Sequence, residues 1–192
     1  MEILTPAMSA MPRCGAPAVV NAAMRLLCGV ILLLALTPAR AAPTEYELKA
    51  AFIYQIAKFI EWPSSGAPLR LCVLGGNPFG AALETIRGKP VSERKMEMSL
   101  LDMDADTREC NMLFIAAPAE RNIERIAAIS RGSGVLTIGD TEGFAQRGAI
   151  VNFFVESGKV RFEINLQASR RAGLKISSQL LKLARIIQED AP

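Results

Sequence analysis

Few residues in this chain have types and spacing that could carry chemistry. Gly75-Gly76-Asn77-Pro78-Phe79-Gly80 follows an apolar run and precedes a helix-like segment. Nucleotide-binding proteins hold phosphate with a strand, a glycine turn and a helix N-terminus in that order. A dinucleotide fingerprint sets its glycines at the first, third and sixth positions; here they stand at the first, second and sixth. Pro78 removes a backbone N–H that could meet a phosphate, and the Gly-Lys-Ser/Thr ending of a P-loop is missing. The stretch therefore reads as a tight strand-to-helix turn. A weaker reading keeps a crevice for a small polar ligand beyond the strand ends. Gly75, Gly76 and Asn77 would form it together with Gly139 and Asp140 from a later turn.

Other catalytic chemistry is poorly supplied. The chain has no histidine, which removes the usual base and with it the common serine and cysteine triads. Asp102, Asp104 and Asp106 alternate, but the stretch lacks the glycine and closing glutamate of a calcium loop. It reads as solvated loop. Asp140 and Glu142 could pair as acid and base, yet two carboxylates in a glycine-bearing loop are ordinarily just exposed. We expect no catalytic residues, no metal, no cofactor and no enzymatic turnover.

The N-terminus is read as a leader. Arg25 precedes an apolar run, Leu26 to Leu36, and Ala39-Arg40-Ala41 has the small-residue form of a cleavage site. The run is short for a membrane span. Residues 1–41 are assigned to this signal peptide and an upstream extension, with Met24 as an alternative start. Residues 42–192 are then a single domain. Of the 22 basic and 19 acidic residues, the leader holds three arginines and one glutamate, so 19 and 18 remain. That balance, with no block of like charge, gives no support for a nucleic-acid surface.

The elements that must position these residues alternate. Thr44-x-x-Glu47 is a capping box, and Leu48, Phe52, Ile56 and Phe59 follow at helical spacing up to about Glu61. Strands are expected at 69–75, 95–101, 111–116 and 135–138, with helices over 79–87 and from Pro118 between them. Residues 149–155 and 159–165 read as a hairpin about Glu156-Ser157-Gly158. The tail to Ile187 reads as two helices: Gly173 ends the first, Leu174 to Ile176 run extended, and Ser177 or Ser178 caps the second. Such alternation implies a three-layer α/β domain: a mostly parallel sheet of five or six strands, with an antiparallel C-terminal edge hairpin.

Cys14 and Cys28 leave with the leader, and Cys72 and Cys110 remain. An even pair in an exported chain reads as a disulfide; a metal pair has neither histidine nor Cys-x-x-Cys spacing. In strand order 2-1-3 the two cysteines lie near the adjacent ends of neighbouring strands. Those strands are roughly 5 Å apart, near the Cα spacing a disulfide needs.

Large apolar residues crowd both ends of the domain. Phe59 and Trp62 near the first helix, and Leu180, Leu183 and Ile187 near the last, are candidates for a dimer or partner surface; the alternative is core.

Taken together, "ELKAAFIYQIAKFIEWP", "VLGGNPFG", "LFIAAPAE" and "VLTIGDTEGFAQRGAIVNFFVESGKVRFEINLQASRRAGLKISSQLLKLARI" resemble the YfiR-like family of periplasmic proteins over nearly all of the mature chain. The resemblance implies a small, dimeric, Rossmann-like periplasmic domain whose members repress an inner-membrane diguanylate cyclase. They do so by engaging its periplasmic sensor region, and release raises cyclic di-GMP and favours biofilm. The family's cysteine pairing is matched by Cys72 and Cys110, while a second pair found in some members is missing. No catalytic set is carried over. The competing reading is a periplasmic small-ligand binder with its pocket at the carboxyl ends of the strands.

Overall fold

The computed structural model describes residues 42–63 and 67–187. The leader, its cleavage site and Met24 lie outside the described residues. The first helix, α1 (Glu45–Lys58), starts at the expected capping box. Thr44 Oγ1 accepts from the Glu47 backbone N–H at 3.3 Å, and Glu47 Oε2 accepts from the Thr44 N–H at 2.6 Å. The helix ends earlier than Glu61. Phe59 caps it, and the chain turns out into a two-residue strand, β1 (Ile60–Glu61). The physical reason is a distant partner: β1 pairs antiparallel with β9 (Lys175–Ile176), Ile60 facing Ile176.

The main sheet contains β2 (Leu69–Leu74), β3 (Pro90–Val91), β4 (Arg94–Leu101), β5 (Met112–Ile115) and β6 (Leu136–Gly139). It continues with β7 (Val151–Glu156), β8 (Lys159–Asn165) and β10 (Arg185–Ile187). Its order is β10-β8-β7-β6-β5-β2-β4-β3, eight strands where five or six are expected. The two additions are β3 and β10, edge pieces too short to show a period of two. The central ladder from β4 through β2, β5 and β6 to β7 is parallel. The β7–β8 hairpin is antiparallel as expected, but β10 pairs parallel with β8 and takes the edge from it.

The connections also differ from regular helices. Residues 80–85 form a 3-10 segment, and another, Ala117–Asn122, leads into α2 (Ile123–Ser130). After β8 come α3 (Leu166–Arg171) and the short α4 (Ser178–Leu181), the latter capped by Ser177. The second tail helix of the sequence reading is thus one turn long, and Arg185–Ile187 is strand. Apolar residues at 186 and 187 suit a wide helical face and a short edge strand equally well, and the open edge of β8 decides between them.

Strand alternation divides the core into two layers. Leu71 and Val73, with Met112, Phe114, Leu136 and Ile138, face Ile53, Ile56 and Ala57 of α1. Cys72 and Leu74, with Leu113 and Ile115, face Ile123 and Ile126 of α2 on the other side. Both sheet faces are covered, as a parallel sheet requires. Cys72 and Cys110 form a disulfide in the second layer, with Cα atoms 5.8 Å apart.

Candidate functional site

The turn after β6 gathers the polar side chains of the C-terminal sheet edge. Gly139 is the last residue of β6 because nothing larger fits: a Cβ there would lie 2.0 Å from the ring of Phe144, which packs on the bare backbone. Asp140 follows, and its carboxylate turns inward to α1. Lys49 Nζ reaches Oδ2 at 2.7 Å and the Tyr46 hydroxyl donates to the same oxygen at 3.1 Å. Lys49 also meets Glu45 at 2.6 Å and sits 4.4 Å from the centre of the Tyr46 ring. The Lys49 and Asp140 side chains are only 5% and 8% exposed. Burial acts to lower the lysine, but the hydrogen bonds from Lys49 to Asp140 and Glu45 outweigh it and hold the ammonium above its ordinary value. Burial, then the charge of Asp140, raises the Tyr46 phenol. Asp140 is therefore engaged in fastening α1 to the end of β6.

The glycine turn after β2 does different work. A Cβ on Gly75 would stand 2.8 Å from Ala119 Cβ, and its φ of +89° suits glycine. Asn77 satisfies itself locally: its Oδ1 accepts from the Phe79 N–H at 3.0 Å and its Nδ2 donates to the Gly80 carbonyl at 3.2 Å. The turn delivers Phe79 edge-on to both Tyr46 and Phe114, with ring centres 5.3 and 4.6 Å away. The stretch is a tight turn out of β2, and the segment it leads into is 3-10 rather than a regular helix.

A cavity of about 520 Å³ opens beside Asp140, and neither the glycines of the first turn nor Asn77 line it. Its floor comes from three adjacent strands. Asn152 of β7 pairs with Glu163 of β8, which in turn faces Arg185 of β10. Directly opposed residues share a face, and this is the face away from α1, since Phe153 points to Phe52. The 140–146 turn forms the opposite wall through Glu142 and Gln146. Asn165 holds that turn in place, donating through Nδ2 to the Ala145 carbonyl at 2.7 Å while its Oδ1 caps α3.

The expected partner surface is split. Leu180 is 3% exposed and belongs to the core, because α4 is short and turns its one buried residue inward. Phe59 and Trp62 are partly buried against the first core layer, and the Trp62 indole donates to the Ala57 carbonyl at 2.9 Å. Ile187 is half-buried in β10. Leu183 alone of the five is strongly exposed, at 70%. It borders a hollow of about 170 Å³ with Phe52, Val160 and Phe162. Val155 and Ile186 are exposed near the same end of the sheet.

A family model described as YfiR/HmsC-like (DUF4154) matches residues 46–185, from the second residue of α1 to the first of β10. The chain belongs to the YfiR/HmsC-like family. Two solved structures share the α/β fold. A conserved domain protein from Vibrio cholerae O1 biovar El Tor superposes with a TM-score of 0.54 at 12% identity, over 78% of this chain and 62% of that one. The ABC domain from Streptococcus pneumonia, solved in complex with L-Trp, gives 0.52 at 9% identity, over 74% and 60%. The chain thus spans about three fifths of the length of each structure.

In this YfiR/HmsC-like domain the sequence reading missed Lys49, Asn152, Gln146 and Glu163. Lys49 stands four residues before Ile53 and seven before Ile56, on the buried stripe of α1, and a charge at that spacing is the signal. Asn152 interrupts the apolar run of β7. Glu163 falls on the polar side of an alternating strand and is nevertheless buried, with β7 on one side and β10 on the other.

Proposed function

We propose that this protein is a periplasmic regulatory protein without enzymatic turnover. In this reading it binds the periplasmic sensor region of an inner-membrane diguanylate cyclase as a homodimer and lowers cyclic di-GMP output. Export would remove the leader and leave a chain starting near Ala42. The observation that carries the reading is the family match across residues 46–185. A second supports it: Leu183, Ile186 and Val155 give the C-terminal sheet end three exposed apolar side chains. Grouped apolar exposure of this kind commonly marks a protein contact.

The test uses the exported protein and the purified periplasmic domain of a membrane diguanylate cyclase encoded beside it. Leu183→Glu and Val155→Glu should leave the melting temperature unchanged. Losing one large anchor commonly costs about 2 kcal/mol or more, so partner affinity should fall roughly thirtyfold. Wild-type protein that fails to bind the domain would refute the regulatory reading. Normal binding by both variants would move the interface off this patch.

A further inference from the structure

The cavity beside Asp140 contains an unmet demand for hydrogen-bond donors. Among the described residues, two buried side-chain oxygens have no partner, Gln146 Oε1 and Asn152 Oδ1, and both residues line this one cavity. Asn152 is 1% exposed. Its amide cannot simply be turned around, because its Nδ2 donates to Glu163 Oε1 at 3.1 Å and a carboxylate only accepts. The orphan oxygen is therefore fixed by its neighbour. Glu163 itself is 6% exposed and receives that one hydrogen bond from the described residues, with no ion pair. A buried carboxylate in that state is costly unless a cation approaches it.

We propose that this cavity binds a small aliphatic amine, with a primary ammonium seated among Asn152 Oδ1, Gln146 Oε1 and the Glu163 carboxylate. An ammonium carries three donors and no acceptor, which matches three acceptors with no donor left over. A metal ion fits less well. Among the described residues no three Asp, Glu, Cys or His side chains are grouped to hold one, and two of the three acceptors here are neutral amides. The volume of about 520 Å³ exceeds what an ammonium alone fills, which leaves room for an organic stem, and Phe154 in the lining offers it apolar surface. Arg185 lies 4.2 Å over the Phe154 ring and is held by Glu156 at 2.6 Å. Glu142, exposed in the lining, suits a second ammonium at the far end of the stem. A short diamine uses both ends. The proposal stands on the cavity alone and does not depend on the cyclase reading.

Calorimetric titration of the purified full-length domain with putrescine tests it, with 1,4-butanediol as the equal-length control lacking charge. We expect saturable putrescine binding and at least tenfold weaker binding of the diol. Asn152→Leu and Glu163→Gln should each weaken putrescine at least tenfold. Glu142→Gln, a surface change that leaves folding alone, should reduce the preference for putrescine over butylamine. Titration with Ca²⁺ should show no competition. The proposal is overturned if putrescine fails to bind, if the diol binds equally, if Ca²⁺ displaces putrescine, or if Glu142→Gln leaves the diamine preference intact. Should either buried variant unfold, the Glu142 and diol comparisons still decide.

Discussion

Lys49 and Asp140 show how one buried pair can dominate a local structure. Each is almost wholly removed from solvent, and Tyr46 and Glu45 complete the set of partners. Removing one member leaves the other charge uncompensated, which typically costs about 3–5 kcal/mol. Lys49→Met should therefore destabilise the domain by about that amount in denaturant unfolding, and Lys49→Met with Asp140→Leu should recover much of it. The pH dependence has a defined sign. Because the folded lysine is raised above its ordinary value, its contribution is complete below the unfolded value of about 10.4 and is lost as pH climbs through the higher folded value. Wild-type protein should lose this part of its advantage over Lys49→Met as pH climbs through that alkaline window. Gly139 makes a second case. Gly139→Ala would drive a methyl into Phe144, and overpacking of this kind costs roughly 1–3 kcal/mol. The same residue's neighbour lines the cavity, so the variant should lower both the melting temperature and putrescine affinity.

At the scale of elements, the disulfide ties the loop before β5 to the middle of β2 and closes a loop with a sequence separation of 38. Chain entropy assigns a cross-link of that span roughly 4 kcal/mol, a large share of ordinary domain stability. Cys72→Ser should lower the melting temperature markedly. A thiol count on denatured, unreduced protein should find no free thiol from this pair. Much of this level was legible in the sequence for identifiable reasons. Thr44 and Glu47 announce α1 through a local box, and Lys159 to Asn165 announces β8 through strict alternation. Arg185–Ile187 was not legible, because its identity as strand depends on the vacant edge of β8, twenty residues away in sequence. The 3-10 segment at residues 80–85 likewise answers to the placement of Phe79 between two other rings. The cavity follows the same division. Asp140 could be picked out as a strand-end residue, whereas Asn152 and Glu163 become neighbours only through hairpin register.

For the molecule as a whole, the β10 edge of the sheet carries two different surfaces. The β10 end combines an acceptor-lined cavity on one face with exposed Leu183 and Ile186 near the other. If the patch meets a partner and the cavity meets an amine, the two ligands share three short strands, and any coupling between them must be reciprocal. Putrescine should then change partner affinity by the same factor by which the partner changes putrescine affinity, measurable by running either titration in the presence of the other component.

The Lys49–Asp140 contact also governs the order in which the chain can complete itself. The lysine belongs to the first described element, and its partner arrives 91 residues later; the pairing of β1 with β9 waits longer still. A nascent chain can pack the apolar stripe of α1 on Leu71 and Val73 of β2 early, but the polar fastening and the β1–β9 pairing must wait until most of the sheet is synthesised. Long sequence separations of this kind slow folding and lengthen the exposure of unpaired surface. Helix α1 is therefore held at first by apolar contact alone, and its polar latch closes only after β6 is complete.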